Sequence, residues 1–160
     1  MSQQPSGEYV SARAFVRWGD CDPAGITFYP RFFEWMDMTS HVLTRELGIS
    51  REDRLPPRLL GFPLVKVQAE FLSPAVLYDE LEIRVWVTRL GRTSLGLRHE
   101  IHRLNGQPAL LAHGREERVH IGRDSDGAMR PRELTPAMRE VLQRYLDSGS
   151  EPGDPGATIT

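Results

Sequence analysis

Between Pro30 and Leu47 the chain carries a helix that cannot lie flat on a surface. Phe32, Met36, Leu43 and Leu47 recur at helical spacing, and Phe33, Trp35, Met38 and Val42 widen the stripe well beyond one face. Glu34, Asp37, His41 and Arg45 form a polar row three or four residues apart, and Gly48 suits the helix end. A helix apolar around most of its circumference needs a sheet to wrap it. The stretch Leu64 to Arg123 supplies one. Val65, Val67, Ala69 and Phe71 alternate with Lys66, Gln68 and Glu70, and Ser73-Pro74 breaks the run. Leu81, Ile83, Val85 and Val87 then alternate with polar residues, with Trp86 the exception on the polar side. Gly91-Arg92 makes a short turn into Leu95, Leu97, His99 and Ile101, and Asn105-Gly106 is a strong hairpin signal. Ala109 to Ile121 returns as the last long strand, with Ala112 and Gly114 small enough for close packing over a helix. Four such strands joined by short turns predict an antiparallel meander.

The flanks complete an α+β domain. Residues 1–9 read as a flexible arm, and Val10 to Trp18 as a half-buried strand with Val10, Ala12, Ala14, Val16 and Trp18 facing inward. Ser50 to Pro63 reads as a long loop with room for one helical turn. Thr135 caps a short helix from Pro136 to Leu146. The domain is therefore expected over 10–147, with a disordered tail at 148–160. One helix covers one sheet face, so the Trp86 side points to a second subunit at the other face or an edge.

Composition excludes several roles. A formal charge of −2 over 160 residues leaves no basic field for nucleic acid. Cys21 is the only cysteine, which rules out an intrachain disulfide and a four-cysteine zinc site. No apolar run could span a bilayer and the N-terminus lacks the pattern of a signal peptide, so the cytoplasm is expected. Arg greatly outnumbers Lys, with Lys66 the only lysine. Arg suits phosphate contacts, although a GC-rich genome would give the same bias.

The chemistry concentrates just before the helix, in Trp18-Gly19-Asp20-Cys21-Asp22-Pro23-Ala24-Gly25-Ile26-Thr27-Phe28-Tyr29-Pro30. Asp22-Pro23-Ala24-Gly25 suits a type I turn. Pro30 suits the first helical position, and a helix starting there presents free N–H groups and a partial positive charge. A carboxylate on the turn facing that mouth is a plausible catalytic arrangement.

Gly19 to Ile26, the aromatic-Pro pair after it and the Phe/Trp-rich helix resemble the 4-hydroxybenzoyl-CoA thioesterase family of hotdog-fold proteins, Pseudomonas-type branch. The similarity is close through Asp37. It continues more weakly in Phe71-Leu72-Ser73-Pro74, Tyr78-Asp79-Glu80-Leu81 and the Arg89 to Arg98 hairpin. The resemblance implies a hotdog fold, a long central helix wrapped by a five- or six-stranded antiparallel sheet. It also implies hydrolysis of an acyl-CoA thioester without metal or cofactor, in a homo-oligomer (dimer or tetramer) with active sites between subunits. By the same resemblance Asp22 is the catalytic carboxylate, as nucleophile or as base, and the Tyr29 backbone N–H polarises the carbonyl. Asp37 matches a position near the ring hydroxyl of the acyl group. Arg92, with Arg89 nearby, lies where the family's basic hairpin residues meet the CoA phosphates, in a thinner cluster than usual.

Each assignment has a structural competitor. Asp22 suits an Asx turn, Asp20 suits a turn-organising role, and Asp37 suits an exposed pair with His41. His41, His99, His102, His113 and His120 match no zinc spacing and read as surface residues, and Cys21 reads as a small buried thiol. Two alternatives accompany hydrolysis of an aryl-CoA such as 4-hydroxybenzoyl-CoA: a broader short- or medium-chain acyl-CoA (or acyl-carrier-protein) thioesterase, and a non-catalytic acyl-CoA-binding protein. A hydratase is disfavoured because no His follows Asp22 before His41.

Overall fold

The computed structural model describes residues 7–147; the expected tail, and all of the expected arm before Gly7, lie outside them. Strands β1 (Val10–Phe15), β2 (Leu64–Phe71), β3 (Glu80–Leu90), β4 (Ser94–Arg103) and β5 (Ala109–Val119) form one antiparallel sheet in the order β1-β3-β4-β5-β2. Two short strands, β6 (Ile121–Arg123) and β7 (Met129–Pro131), pair separately. Helix α1 (Pro30–Arg45) lies across the sheet, α2 (Arg51–Arg54) follows it, and α3 (Pro136–Gln143) closes the far end. No helix among the described residues is long and apolar enough to cross a membrane.

The meander holds for β3, β4 and β5 only. β2 pairs with β5 rather than with β3, which follows it in the chain. Local spacing could not show this, because the Ser73-Pro74 break leads across the sheet and not into a tight hairpin. Wrapping α1 from both sides places β1 and β2 at the two edges.

Alternation fills the inner face. Leu81, Ile83, Val85, Val87, Leu95, Leu97 and Ile101 are fully buried against α1. Two apolar clusters result, one around Phe32, Trp35, Met36 and Leu81, the other around Leu43, Leu47, Val87 and Leu142. Between them lies a polar layer, Ser40 of α1 with His99 of β4 and Glu116 of β5. At Gly114 a Cβ would meet Met36 Cε at 2.5 Å and the Gln68 carbonyl oxygen at 2.8 Å, so the helix and β2 both depend on the missing side chain. Gly48 closes the turn after α1 at φ +75°, where glycine is unstrained. Thr135 caps α3 by accepting from the Met138 N–H, as its sequence predicts.

Three expectations need correction. Trp18 is not an inward strand residue: it starts a 3-10 turn and is 81% exposed, because the strand ends at Phe15. Trp86 is only 2% exposed within its own chain, with Tyr9 at 5.2 Å between ring centroids and the Arg98 guanidinium 5.8 Å from its ring. Its burial therefore does not require a second subunit. His99 and His120 are buried rather than on the surface; His120 stacks on Phe62 at 4.8 Å.

Candidate active site

The motif folds into a small closed loop. A 3-10 turn at Trp18–Asp20 precedes it, and the buried Asp20 organises that turn. Its carboxylate accepts from the Arg17 amide at 2.8 Å and faces Arg31 at 3.5 Å. Burial would push the Asp20 carboxyl up, but the Arg17 amide and guanidinium and the Arg31 charge hold it below the ordinary carboxylate value. Cys21 bridges to Thr27, the Asp22 N–H donates to the Ile26 carbonyl at 2.9 Å, and Gly25 takes φ +80°. Thr27 N–H donates to the Ala75 carbonyl, and Ile26 bridges to Val76, so the loop is stitched to the approach to β3. Cys21 is half-buried rather than buried, with its thiol 3.7 Å from the Arg17 carbonyl oxygen.

Asp22 makes the Asx turn that its sequence context offers. Its Oδ1 accepts from the Ala24 N–H at 2.8 Å, and among the described residues no donor reaches the second oxygen. Tyr29 is the residue before the helix and already has helical angles, φ −55° and ψ −31°. Its N–H meets no acceptor among the described residues. A half-free carboxylate and an unbonded amide at a positive helix end thus flank one six-residue loop. The two readings of Asp22 are compatible: the turn holds the side chain by one oxygen and leaves the other available.

Two clefts flank α1. The first, about 360 Å³, is lined by Ile26, Thr27, Tyr29, Phe32, Phe71, Leu72, Ser73, Pro74 and Ala75. The rings of Tyr29, Phe32 and Phe33 all meet Phe71 within 6.3 Å. The second, about 350 Å³, lies further along the helix; Asp37, Ser40, His41 and Thr44 face Leu60 to Leu64, Arg54 and Arg118 across it. Asp37 stands there half-exposed. Its Oδ2 is 3.4 Å from His41 Nε2, and its Oδ1 accepts from Arg118 Nη2 at 2.6 Å.

Arg118, Glu116 and His99 were not singled out as functional by sequence. Arg118 reaches Glu116 through Nε at 2.8 Å and the Phe62 carbonyl through Nη1 at 2.9 Å. Glu116 also accepts from Ser40 Oγ at 2.6 Å and lies 3.3 Å from His99 Nε2. Burial would raise the Glu116 carboxyl, but hydrogen bonds from His99 and Arg118 and their charges bring it down to about 2. The signal was present: continuing the inward alternation from Ala112 and Gly114 puts Glu116, Arg118 and His120 on the core face. Charged residues at core positions are the exception worth noticing.

Arg89 and Arg92 stand elsewhere. Arg89 is paired with Glu117, and Arg92 donates to Glu133 at 2.7 Å. They lie at the far end of β3, whereas the Asp22 loop is tied to residues just before its start. Along an extended strand that is about 30 Å. One chain does not bring them together.

A buried helix wrapped by a five-stranded antiparallel sheet, with a carboxylate turn at the helix mouth, is the hotdog architecture of thioester hydrolases. The model of the thioesterase superfamily matches residues 24–109, more than half of the chain, and the protein belongs to that family. The 4-hydroxybenzoyl-CoA thioesterase of Pseudomonas sp. (strain CBS-3) is 30% identical over 121 residues, covering 73% of this chain and 86% of that one. Its crystal structure superposes with a TM-score of 0.73 at 27% identity, over 83% of this chain and 98% of that one. The dynemicin thioesterase, at 22% identity, shares the fold with a TM-score of 0.77 over 87% of this chain and 98% of its own. This protein is a thioester hydrolase.

Proposed function

We propose that the protein hydrolyses an acyl-CoA thioester to a free acid and CoA, with an aryl acyl group such as 4-hydroxybenzoyl as substrate. Asp22 is the catalytic carboxylate, acting on the carbonyl directly or through a water, and the Tyr29 N–H stabilises the oxyanion. The observation that carries this reading is the pairing of a carboxylate held by one oxygen with an unbonded N–H at the helix mouth. The 30% identity to a 4-hydroxybenzoyl-CoA thioesterase supports the substrate class. In the test, Asp22→Asn should slow thiol release from 4-hydroxybenzoyl-CoA by about a hundredfold or more while leaving its binding in place. Wild-type turnover in that variant would overturn the assignment, and loss of neither binding nor hydrolysis would end the catalytic role of the loop.

The working form is a homo-oligomer in which a second chain completes the site. Edge strand β2 leaves one side unpaired and exposes Leu64, Val65 and Phe71, the last beside exposed Tyr29 and Leu72. Arg89 and Arg92 lie too far from Asp22 to serve the same substrate from one chain, so any phosphate contact they make comes from a partner. Sedimentation should find a dimer or tetramer, and a monomer with full activity would refute this.

A broader alkyl specificity has one observation in its favour. The cleft beside Tyr29 is lined by apolar side chains except for Thr27, Ser73 and the Tyr29 hydroxyl. Turnover of a panel of aryl and alkyl thioesters decides, since faster hydrolysis of aliphatic chains rejects the aryl reading.

A further inference from the structure

The buried ions around Glu116 serve no purpose in either apolar cluster. Glu116, His99 and Ser40 are almost wholly buried, and Arg118 is 3% exposed. Apolar residues of similar volume would stabilise such a position as well or better, because ions lose their hydration on burial. The geometry converges on one exposed atom group. Glu116 grips Arg118 through both carboxylate oxygens, Oε2 at 2.8 Å and Oε1 at 3.2 Å. The Phe62 carbonyl fixes a second arm of the guanidinium, and the same arm that touches Glu116 Oε1 holds Asp37 Oδ1. Ser40 and His99 in turn hold Glu116 from the helix and from β4. Asp37 is the half-exposed end of this chain, and it faces into the second cleft.

We propose that Arg118, clamped by Glu116, is a specificity-determining positioning residue: it fixes the Asp37 carboxylate as an oriented acceptor in the second cleft, and so selects acyl groups that end in a hydroxyl donor. The inference rests on the proposed aryl-CoA hydrolysis and on the resemblance that matches Asp37 to a position near the acyl hydroxyl, which together put the far end of the acyl group in this cleft. An unrestrained Asp on a helix surface samples several rotamers, and each hydrogen bond it made to a ligand would lose the entropy of ordering it. An Asp held in place before the ligand arrives avoids that loss. Arg is required and Lys would not serve, because one planar fork spans Glu116, the Phe62 carbonyl and Asp37 together.

The test compares 4-hydroxybenzoyl-CoA with benzoyl-CoA in the wild type, Arg118→Gln, Arg118→Lys and Asp37→Asn. The preference for the hydroxylated ester, as a ratio of kcat/KM values, should fall about tenfold or more in all three variants, mainly through KM. Arg118→Gln combined with Asp37→Asn should fall no further than Asp37→Asn alone. An equal loss for both esters, or additive effects, would overturn the proposal and leave Arg118 a structural residue. Should the Arg118 variants not fold, Ser40→Ala loosens Glu116 with a smaller change and should lower the same ratio; an unaltered ratio there counts against the proposal. If the wild type frees no thiol from any ester, the site reading has failed by itself. The proposal is then read from calorimetric binding of 4-hydroxybenzoate against benzoate, where Arg118→Gln should weaken only the former.

Discussion

The two clefts beside α1 are of nearly equal volume and are built on opposite principles. The cleft at the helix mouth is walled by exposed aromatic rings, with Tyr29, Phe71 and Leu72 half in solvent. Nothing in it is held by charge. The cleft two turns further on, about 12 Å along the axis, sets Asp37 and Arg118, ions braced from inside the core, against an apolar wall from Leu60 to Leu64. Apolar walls adapt to a ligand and discriminate weakly, since a methylene or a hydroxyl changes binding only modestly. A fixed hydrogen-bonding group discriminates strongly, because a ligand lacking the matching group leaves it unpaired. On the proposed reading Asp22 and Tyr29 do the chemistry at the helix mouth, and selection falls to the charged cleft.

The largest expected effect lies in the loop that leads into the helix mouth. Asp22→Asn should lower thioester hydrolysis by about a hundred- to ten-thousandfold with melting temperature close to wild type, measured by thiol release and thermal denaturation. A matching loss of stability would mean that the Asx turn, which Asn can also form, is not what the substitution spared. At the charged cleft stability responds instead. Arg118→Met leaves Glu116 buried without the guanidinium that pairs with both its oxygens and should cost about 3–5 kcal/mol in denaturant unfolding. A loss below about 1 kcal/mol would mean the layer is hydrated and the contrast between the clefts is wrong.

Acid sharpens the same contrast. The Glu116 carboxyl titrates at about 2 in the fold against 4.5 ordinarily, so between these values the unfolded chain binds the extra proton. Its stabilisation is fully present above pH 4.5 and is lost as the pH falls towards 2, on the order of 3 kcal/mol in all. Glu116→Gln should flatten the stability profile in that window. Between the clefts, Gly114→Ala drives a methyl against Met36 and the Gln68 carbonyl and should cost about 1–3 kcal/mol; a neutral result would show that β2 and α1 yield easily. The smallest effect on folding is expected for Phe71→Ala, less than about 1 kcal/mol for the isolated chain because the ring is half in solvent. Its KM should rise alike for hydroxylated and plain esters, and a selective rise would move selection into the wrong cleft.

Local order was written in the chain because its causes are local. Period-two and helical patterns, Pro30 and Thr135 at helix starts, Gly48 at a helix end and the Asp22-to-Gly25 turn each follow from sterics and hydrogen bonding within a few residues. So does the nearness in sequence of Asp22 to the helix that Tyr29 precedes, since one short loop joins them. The pairing of β2 with β5, the covering of Trp86 by Tyr9 and Arg98, and the burial of His99 and His120 depend on which distant elements meet. No spacing rule carries that information. The same holds for Arg118: alternation places it on the core face, but only the crossing of α1 over β5 supplies Asp37 to meet it. Residues joined across 81 positions of chain become partners through packing, and the acceptor it holds in the second cleft exists only in the folded state.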